Sequence, residues 1–212
     1  MITQAVKSAA IGSDFKILKD IHEESKNIAI YQRSTQTLNQ ELEQLMDYDI
    51  EFRSKGSVSE IIQALQNYFD IDELTVPVFF EDVINLLKKF EELTKANSFR
   101  IFLAVVDSNM CRRFHTDINY LRLLCTYVGQ GTLWLPDTAV DWKAYTAHVG
   151  NEQIVKDKEL IQQVDAGDVT ILKGALYPNA KPIMHRSPSI EETAEERLLL
   201  RIDINQSLDN LS

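Results

Sequence analysis

Up to about Asn97 the apolar positions of the chain recur at helical spacing. FKILKDIHEES, residues 15 to 25, sets Phe15, Leu18 and Ile21 on one side behind the capping candidates Ser13 and Asp14. STQTLNQELEQLM repeats the pattern with Leu38, Leu42, Leu45 and Met46. SVSEIIQALQNYF opens with Ser57 and Glu60 at capping-box spacing, and VPVFFEDVINLLKKFEELTKAN lines up Phe80, Val83, Leu87, Phe90 and Leu93 on one stripe. Two short β-like pieces, NIAIYQR and IEFRSKG, interrupt these helices.

Beyond Asn97 the period shortens to that of strands. FRIFLAVV, RRFHTDI, LRLLCTYV, TLWLP, DVTILKG, PIMHRS and RLLLRIDI follow one another, separated by turn residues such as Gly129, Gly131, Pro136, Gly167, Gly174, Pro178 and Pro188. So many short strands in so short a span predict a jelly-roll or cupin-like barrel. The expected fold class is α+β, with a barrel over residues 98–212 and a mainly helical region, residues 1–97, packed on it. No linker-like composition separates the two, so one compact unit is expected, with the helices closing over the barrel mouth and shaping a substrate pocket.

Size, charge and cysteine usage narrow the class of protein. A chain of 212 residues buries a core without disulfide staples, and two cysteines in strand-like context suit a reducing compartment, so the expected address is cytoplasmic. No apolar run is long enough to cross a bilayer, and no membrane association is expected. A formal net charge of -10 argues against a broad nucleic-acid surface, which needs clustered excess cations, while leaving room for a local basic pocket.

The chemistry concentrates around His115 and Asp117. On a strand, residues two apart face the same side, so an imidazole and a carboxylate are presented together where Leu or Val would pack more cheaply. His185, on a separate strand, completes a set of two histidines and one carboxylate, which leaves positions open on an octahedral Fe(II) for O₂ and a chelating organic acid. His22 and Glu24 have the same spacing, but on a helix that spacing does not share a face, and His22 reads as a surface residue. His148 has no neighbour at ligand spacing and reads as a loop histidine. The last strand alternates: Leu198, Leu200, Ile202 and Ile204 make one apolar face, while Arg197, Leu199, Arg201 and Asp203 share the other. A guanidinium inside a barrel wants a carboxylate, and a bound 2-oxo acid would provide one.

The order His115-Thr116-Asp117, then GDVTILKG, then His185, then an arginine twelve residues on resembles the double-stranded β-helix oxygenases that use Fe(II) and 2-oxoglutarate, over roughly residues 98 to 205. CRRFHTD, LRLLCTYVGQGTLWLPD, ILKGALYP and MHRSP together also resemble a bacterial domain-of-unknown-function family along the whole chain. The oxygenase resemblance implies that His115, Asp117 and His185 hold the metal and that Arg197 anchors 2-oxoglutarate, with Arg201 as the second candidate. The implied activity is hydroxylation of a small-molecule or protein substrate that the sequence does not identify. One departure stands out: the oxygenases often carry serine or threonine two residues after the arginine, and this chain has Leu199.

A rival expectation is a non-catalytic metal-binding protein on the same barrel. Cys111 shares strand parity with His115, and a thiolate beside imidazoles favours zinc; the resemblance to the bacterial family implies a zinc-homeostasis setting for such a protein. Arg186 is expected to point away from the metal by alternation, as a flanking group at most. Tyr127 and Trp134 read as core, with Tyr127 kept as a possible site residue. Gly129-Gln130-Gly131 reads as a hairpin turn rather than a nucleotide loop, because no helix follows it.

Overall fold

A computed structural model of the chain describes residues 5–71 and 74–205. Its strands in chain order are β1 (Ala9–Gly12), β2 (Ile28–Tyr31), β3 (Glu51–Gly56), β4 (Phe99–Val106), β5 (Leu121–Val128), β6 (Leu133–Leu135), β7 (Gln162–Gln163), β8 (Val169–Lys173), β9 (Met184–Arg186) and β10 (Arg197–Ile204). They form a 7-stranded sheet, ordered β1-β2-β8-β5-β10-β4-β3, and a 3-stranded sheet, ordered β7-β6-β9. Every ladder is antiparallel except β1–β2. The large sheet thus draws three of its strands from before residue 97, and NIAIYQR and IEFRSKG are two of them.

The helices are α1 (Asn39–Met46), α2 (Val58–Ile71), α3 (Pro77–Thr94) and two short ones, α4 (Trp142–Thr146) and α5 (Asn151–Ile154). Before α2 the capping box forms: the Ser57 amide donates to Glu60 Oε2 at 2.7 Å, and the Glu60 amide donates back to Ser57 Oγ at 3.4 Å. Pro77 opens α3 and Lys95 ends it in the left-handed conformation. FKILKDIH is a 3-10 helix, Phe15–His22, capped by Asp14. Its apolar residues stand three apart, and three residues per turn is what keeps Leu18 and Ile21 stacked on one buried edge. In α3 the fully buried aromatics are Phe79 and Phe90, with Phe80 only half-buried.

β10 divides the interior as its alternation predicts. Leu198, Leu200, Ile202 and Ile204 join Leu123 and Tyr127 of β5 in the cluster that packs against Phe79, Val83, Leu87 and Phe90 of α3. Leu199, Leu124 of β5 and Phe102 of β4 meet Trp134 of β6 and Ile183 beside β9 in a second cluster, between the two sheets. The N-terminal helices therefore cover the outer face of the large sheet instead of a barrel mouth.

Three further expectations change. RRFHTDI is not a strand; only His115 pairs, in a single antiparallel bridge with His185. Its backbone partners explain this, since the Ala175 amide donates to Asp117 O and the Leu176 amide to Asn119 O, tying the segment to the loop after β8. Gly129-Gln130-Gly131 joins β5 to β6, which lie in different sheets, so it is a crossover between sheets and not a hairpin. The two sheets share a core, but no ladder among the described residues closes them into a barrel.

Candidate metal centre

The bridge between His115 and His185 builds the site. Each amide donates to the other's carbonyl at 3.0 Å, so the two residues sit directly opposite with side chains on the same side. Their ring centroids lie 4.6 Å apart. Asp117, two residues beyond His115, brings Oδ1 to 3.7 Å from His115 Nε2 and Oδ2 to 3.3 Å from His185 Nε2. One donor atom from each of the three residues lies within 4.8 Å of the other two.

Backbone carbonyls fix the ring orientation. His115 Nδ1 lies 3.0 Å from Arg113 O and His185 Nδ1 3.3 Å from Ile183 O. A carbonyl only accepts, so each Nδ1 is the protonated nitrogen and Nε2 is the one aimed at the carboxylate, the arrangement that metal-binding imidazoles use. Asp117, followed by His115's neighbour Cys111, pushes the His115 pKa up to about 10. Burial by itself would raise the Asp117 carboxyl, but hydrogen bonds from His115 and His185, with the charges of His185 and Arg122, hold it well below the usual carboxylate range.

The same cavity that His115 and His185 line is lined by Arg197, Thr132, Leu124 and Leu199. Arg197 is 1% exposed, and its Nη2 donates to Thr126 Oγ1 at 3.1 Å. Its Nε and Nη1 are buried without a hydrogen-bond partner among the described residues. No carboxylate among the described residues compensates it, and burial pushes its pKa down to about 10. Arg201 lines the cavity too, but its Nε has Asp203 Oδ2 at 3.4 Å and its guanidinium lies over the Phe102 ring at 5.2 Å.

The family described as "Protein of unknown function (DUF1826)" matches residues 12–203. The chain belongs to this family. No curated protein matches the chain in sequence. Among solved structures, the dioxygenase for auxin oxidation 1 of Arabidopsis thaliana, in its 2-oxoglutarate binary complex, superposes with a TM-score of 0.55 at 12% identity, covering 95% of this chain and 93% of that one. The dioxygenase for auxin oxidation of rice gives 0.55 and 12%, covering 95% and 84%. At such identity the likeness is one of fold: this member of the family is a mixed α and β protein with the chain path of those dioxygenases.

Other residues singled out from the sequence fall in different places. Tyr127 is on the opposite face of β5, where its hydroxyl donates to Asp82 Oδ2 at 2.7 Å under α3, away from the cavity that the two histidines line. Alternation places it there, because Leu124 and Thr126 face the other way. Arg186 lines the cavity despite its parity: β9 is only three residues long, and the side chain turns back to lie over Phe114 at 5.2 Å, with Nη1 on Ser187 O at 2.9 Å. Cys111 is exposed and lies beside His115, whose hydrogen bond lowers its thiol pKa, but it stands outside the three-residue donor set. Trp134 is core. His22 is a surface residue, with Nε2 3.1 Å from Leu93 O and Nδ1 2.8 Å from Tyr177 Oη, and His148 sits exposed in a loop.

Sequence reasoning missed Arg122. From β5 it reaches Asp117 Oδ2 through Nη1 at 2.5 Å, and Asp203 through Nε at 2.7 Å and Nη2 at 3.2 Å, while Asn119 donates to the same Asp203 at 3.0 Å. The signal was available: Arg122 has the parity of Leu124 within LRLLCTYV, so it faces the same side as the site.

Proposed function

We propose that this chain is an Fe(II)- and 2-oxoglutarate-dependent oxygenase on a double-stranded β-helix framework. His115, Asp117 and His185 would hold the metal, and Arg197 would hold the distal carboxylate of the co-substrate. The observation that carries this reading is Arg197: a buried guanidinium with two donor atoms that have no partner among the described residues, in the cavity of two facing histidines. A buried charge without a partner is costly, and a planar two-pronged donor matches a carboxylate. The donor set fits as well, since two imidazoles and one carboxylate suit ferrous iron and leave positions free. A protein that only stores zinc has no use for that arginine.

Bound there, Fe(II) and 2-oxoglutarate would supply the oxidising power, with O₂, for hydroxylation of a substrate as the co-substrate is decarboxylated to succinate. The chain's own contribution is placement. The Arg113 and Ile183 carbonyls hold both rings with Nε2 inward, and Arg122 restrains the Asp117 carboxylate. Thr126 sets the roll of the Arg197 guanidinium. Leu124 and Leu199 keep that end of the cavity apolar, which strengthens a charge-assisted contact by excluding water. Leu199, where the oxygenases often place a hydroxyl, leaves Arg197 and Thr126 as the polar pair at that end.

The test is calorimetry on anaerobically prepared protein, followed by assay of succinate. The expected result is binding of Fe(II), of 2-oxoglutarate to the loaded protein, and slow succinate release in air. A loaded protein that takes up no 2-oxoglutarate would reject the reading.

A further inference from the structure

Beside the metal site lies a second, larger cavity of about 430 Å³, within the range of roughly 300–1,000 Å³ typical of small-molecule pockets. Arg122 and Arg201 line both cavities, so the two adjoin. Arg53, Lys55, Arg100 and Phe102 also line the larger one, together with the carboxylate of Asp203. In a chain whose formal net charge is -10, this concentration of cations runs against the overall sign.

The registers show how it is built. Across β3, β4, β10 and β5 one row reads Lys55, Arg100, Asp203, Arg122, and the next reads Arg53, Phe102, Arg201, Leu124. All these side chains share the face that carries Leu199 and Arg197. Lys55 stands directly opposite Arg100, a like-charge pair that destabilises a sheet unless something negative lies between them. A lysine on an edge strand can serve only to prevent strand pairing. That does not account for Arg100 and Arg201, which sit on the interior strands β4 and β10. Phe102 lies under two guanidiniums, Arg53 at 4.3 Å and Arg201 at 5.2 Å, and so holds both while leaving N–H edges free. Carboxylates do not balance the wall: the five cations meet Glu51, Asp117 and Asp203, and neither Lys55 nor Arg100 has an ion-pair partner among the described residues. The Arg53–Glu51 pair is exposed and contributes little.

We infer that the substrate is a small organic oxyanion whose carboxylate or phosphate is gripped by Lys55, Arg100 and Arg201 in this cavity, next to His115, Asp117 and His185. The inference rests on the oxygenase reading for the word substrate, and on the cavity alone for the anion. Bound there, the anion relieves the Lys55–Arg100 repulsion, and the rest of the molecule extends past Arg122 toward the metal ligands.

The experiment titrates metal-free protein with benzoate, phenyl phosphate and, as an uncharged control, benzyl alcohol. The expected result is saturable binding of an anion but not of the alcohol, weakened about tenfold or more in the double variant Lys55→Glu/Arg100→Glu. The stronger of the two anions identifies the head group. Both residues are exposed, and Lys55→Gln/Arg100→Gln, which only neutralises, should give an intermediate loss. Equal binding of the alcohol, or anion binding indifferent to charge reversal, overturns the inference. So does an equal loss of 2-oxoglutarate binding by the iron-loaded double variant, because the cavity then serves the co-substrate and the oxygenase reading stands. If wild-type protein binds the anions as described but never 2-oxoglutarate, the anion site holds and the oxygenase reading falls.

Discussion

Arg122 Nη1 sits 2.5 Å from Asp117 Oδ2, the oxygen that also faces His185 Nε2. A cation thus already occupies one side of the carboxylate that a metal would share. Arg122→Met removes the shortest cation contact from two carboxylates at once, Asp117 and Asp203, whose side chains are only 13% and 7% exposed and which keep only the longer contacts with His115, His185 and Arg201. Breaking a buried pair costs about 3–5 kcal/mol, because the remaining charge stays buried. The metal-free variant should lose about that much stability, and a divalent ion should restore more stability to it than to the wild type, since the ion neutralises Asp117 again. Thermal unfolding with and without metal measures both. An identical deficit in the two conditions would mean that Arg122 and the metal do not act on the same carboxylate.

Metal binding should release a proton. In the metal-free protein Asp117 raises the His115 pKa from 6.5 to about 10, so at neutral pH this imidazole is protonated and must lose its Nε2 proton to become a ligand. Apparent affinity for a divalent ion should therefore rise about tenfold per pH unit near neutrality, the slope of one proton displaced. The stability of the metal-free protein runs the other way. Because the folded-state pKa is the higher one, the His115–Asp117 contribution is full below 6.5 and is lost as pH rises through about 10. Titrations in two buffers of different ionisation heat count the protons; a count of zero near pH 7 would contradict the assignment of His115 as protonated.

Arg197→Met separates function from stability. The arginine is buried, pairs only through Nη2 with Thr126, and leaves Nε and Nη1 unpartnered among the described residues. Replacing an uncompensated buried charge with an apolar side chain of similar length is neutral or stabilising. The same change removes two charge-assisted hydrogen bonds to a bound carboxylate, at about 1.5–3 kcal/mol each, so 2-oxoglutarate affinity should fall about a hundredfold or more. Metal affinity should be unchanged. A variant that unfolds while the wild type binds no dicarboxylate would make Arg197 a structural residue.

Much of this arrangement was legible in the sequence because two-residue alternation is strict wherever one face of a strand is buried. RLLLRIDI, LRLLCTYV and FRIFLAVV occupy β10, β5 and β4 without an end residue gained or lost, and the parity of Arg197 places it correctly. His115 and Asp117 come together with His185 for a reason alternation did not supply. Their segment is irregular, and one reciprocal pair of backbone hydrogen bonds does the positioning. Arg186 shows where the rule ends, since a strand of three residues does not constrain a long side chain. The pairing of β2 with β8 and of β3 with β4 is a long-range contact that local periodicity does not encode, and it hid the basic rows across β3, β4 and β10.

Gly129 tests whether the crossover between the sheets sets the position of Arg197. β5 and β10 slip register where Leu198 faces Val128 and Leu199 faces Thr126, and Gly129 follows immediately with φ +83. That left-handed conformation suits glycine, and a Cβ there would stand 2.4 Å from Glu196 O and 2.9 Å from Arg197 Cγ. The first contact is with backbone, which cannot rotate aside. Gly129→Ala should cost about 1–3 kcal/mol for the conformation, with a further loss from the clash. Because the clash falls on residues 196 and 197, the displaced guanidinium should weaken 2-oxoglutarate binding while His115, Asp117 and His185 keep their metal. Gly12→Ala is the control: its Cβ would meet the Ile17 side chain no nearer than 3.4 Å, an ordinary contact, so stability and both affinities should stay near wild type. Paired calorimetry for metal and 2-oxoglutarate on the two variants decides the matter, and equal behaviour of Gly129→Ala and Gly12→Ala would show that Arg197 is held by β10 alone.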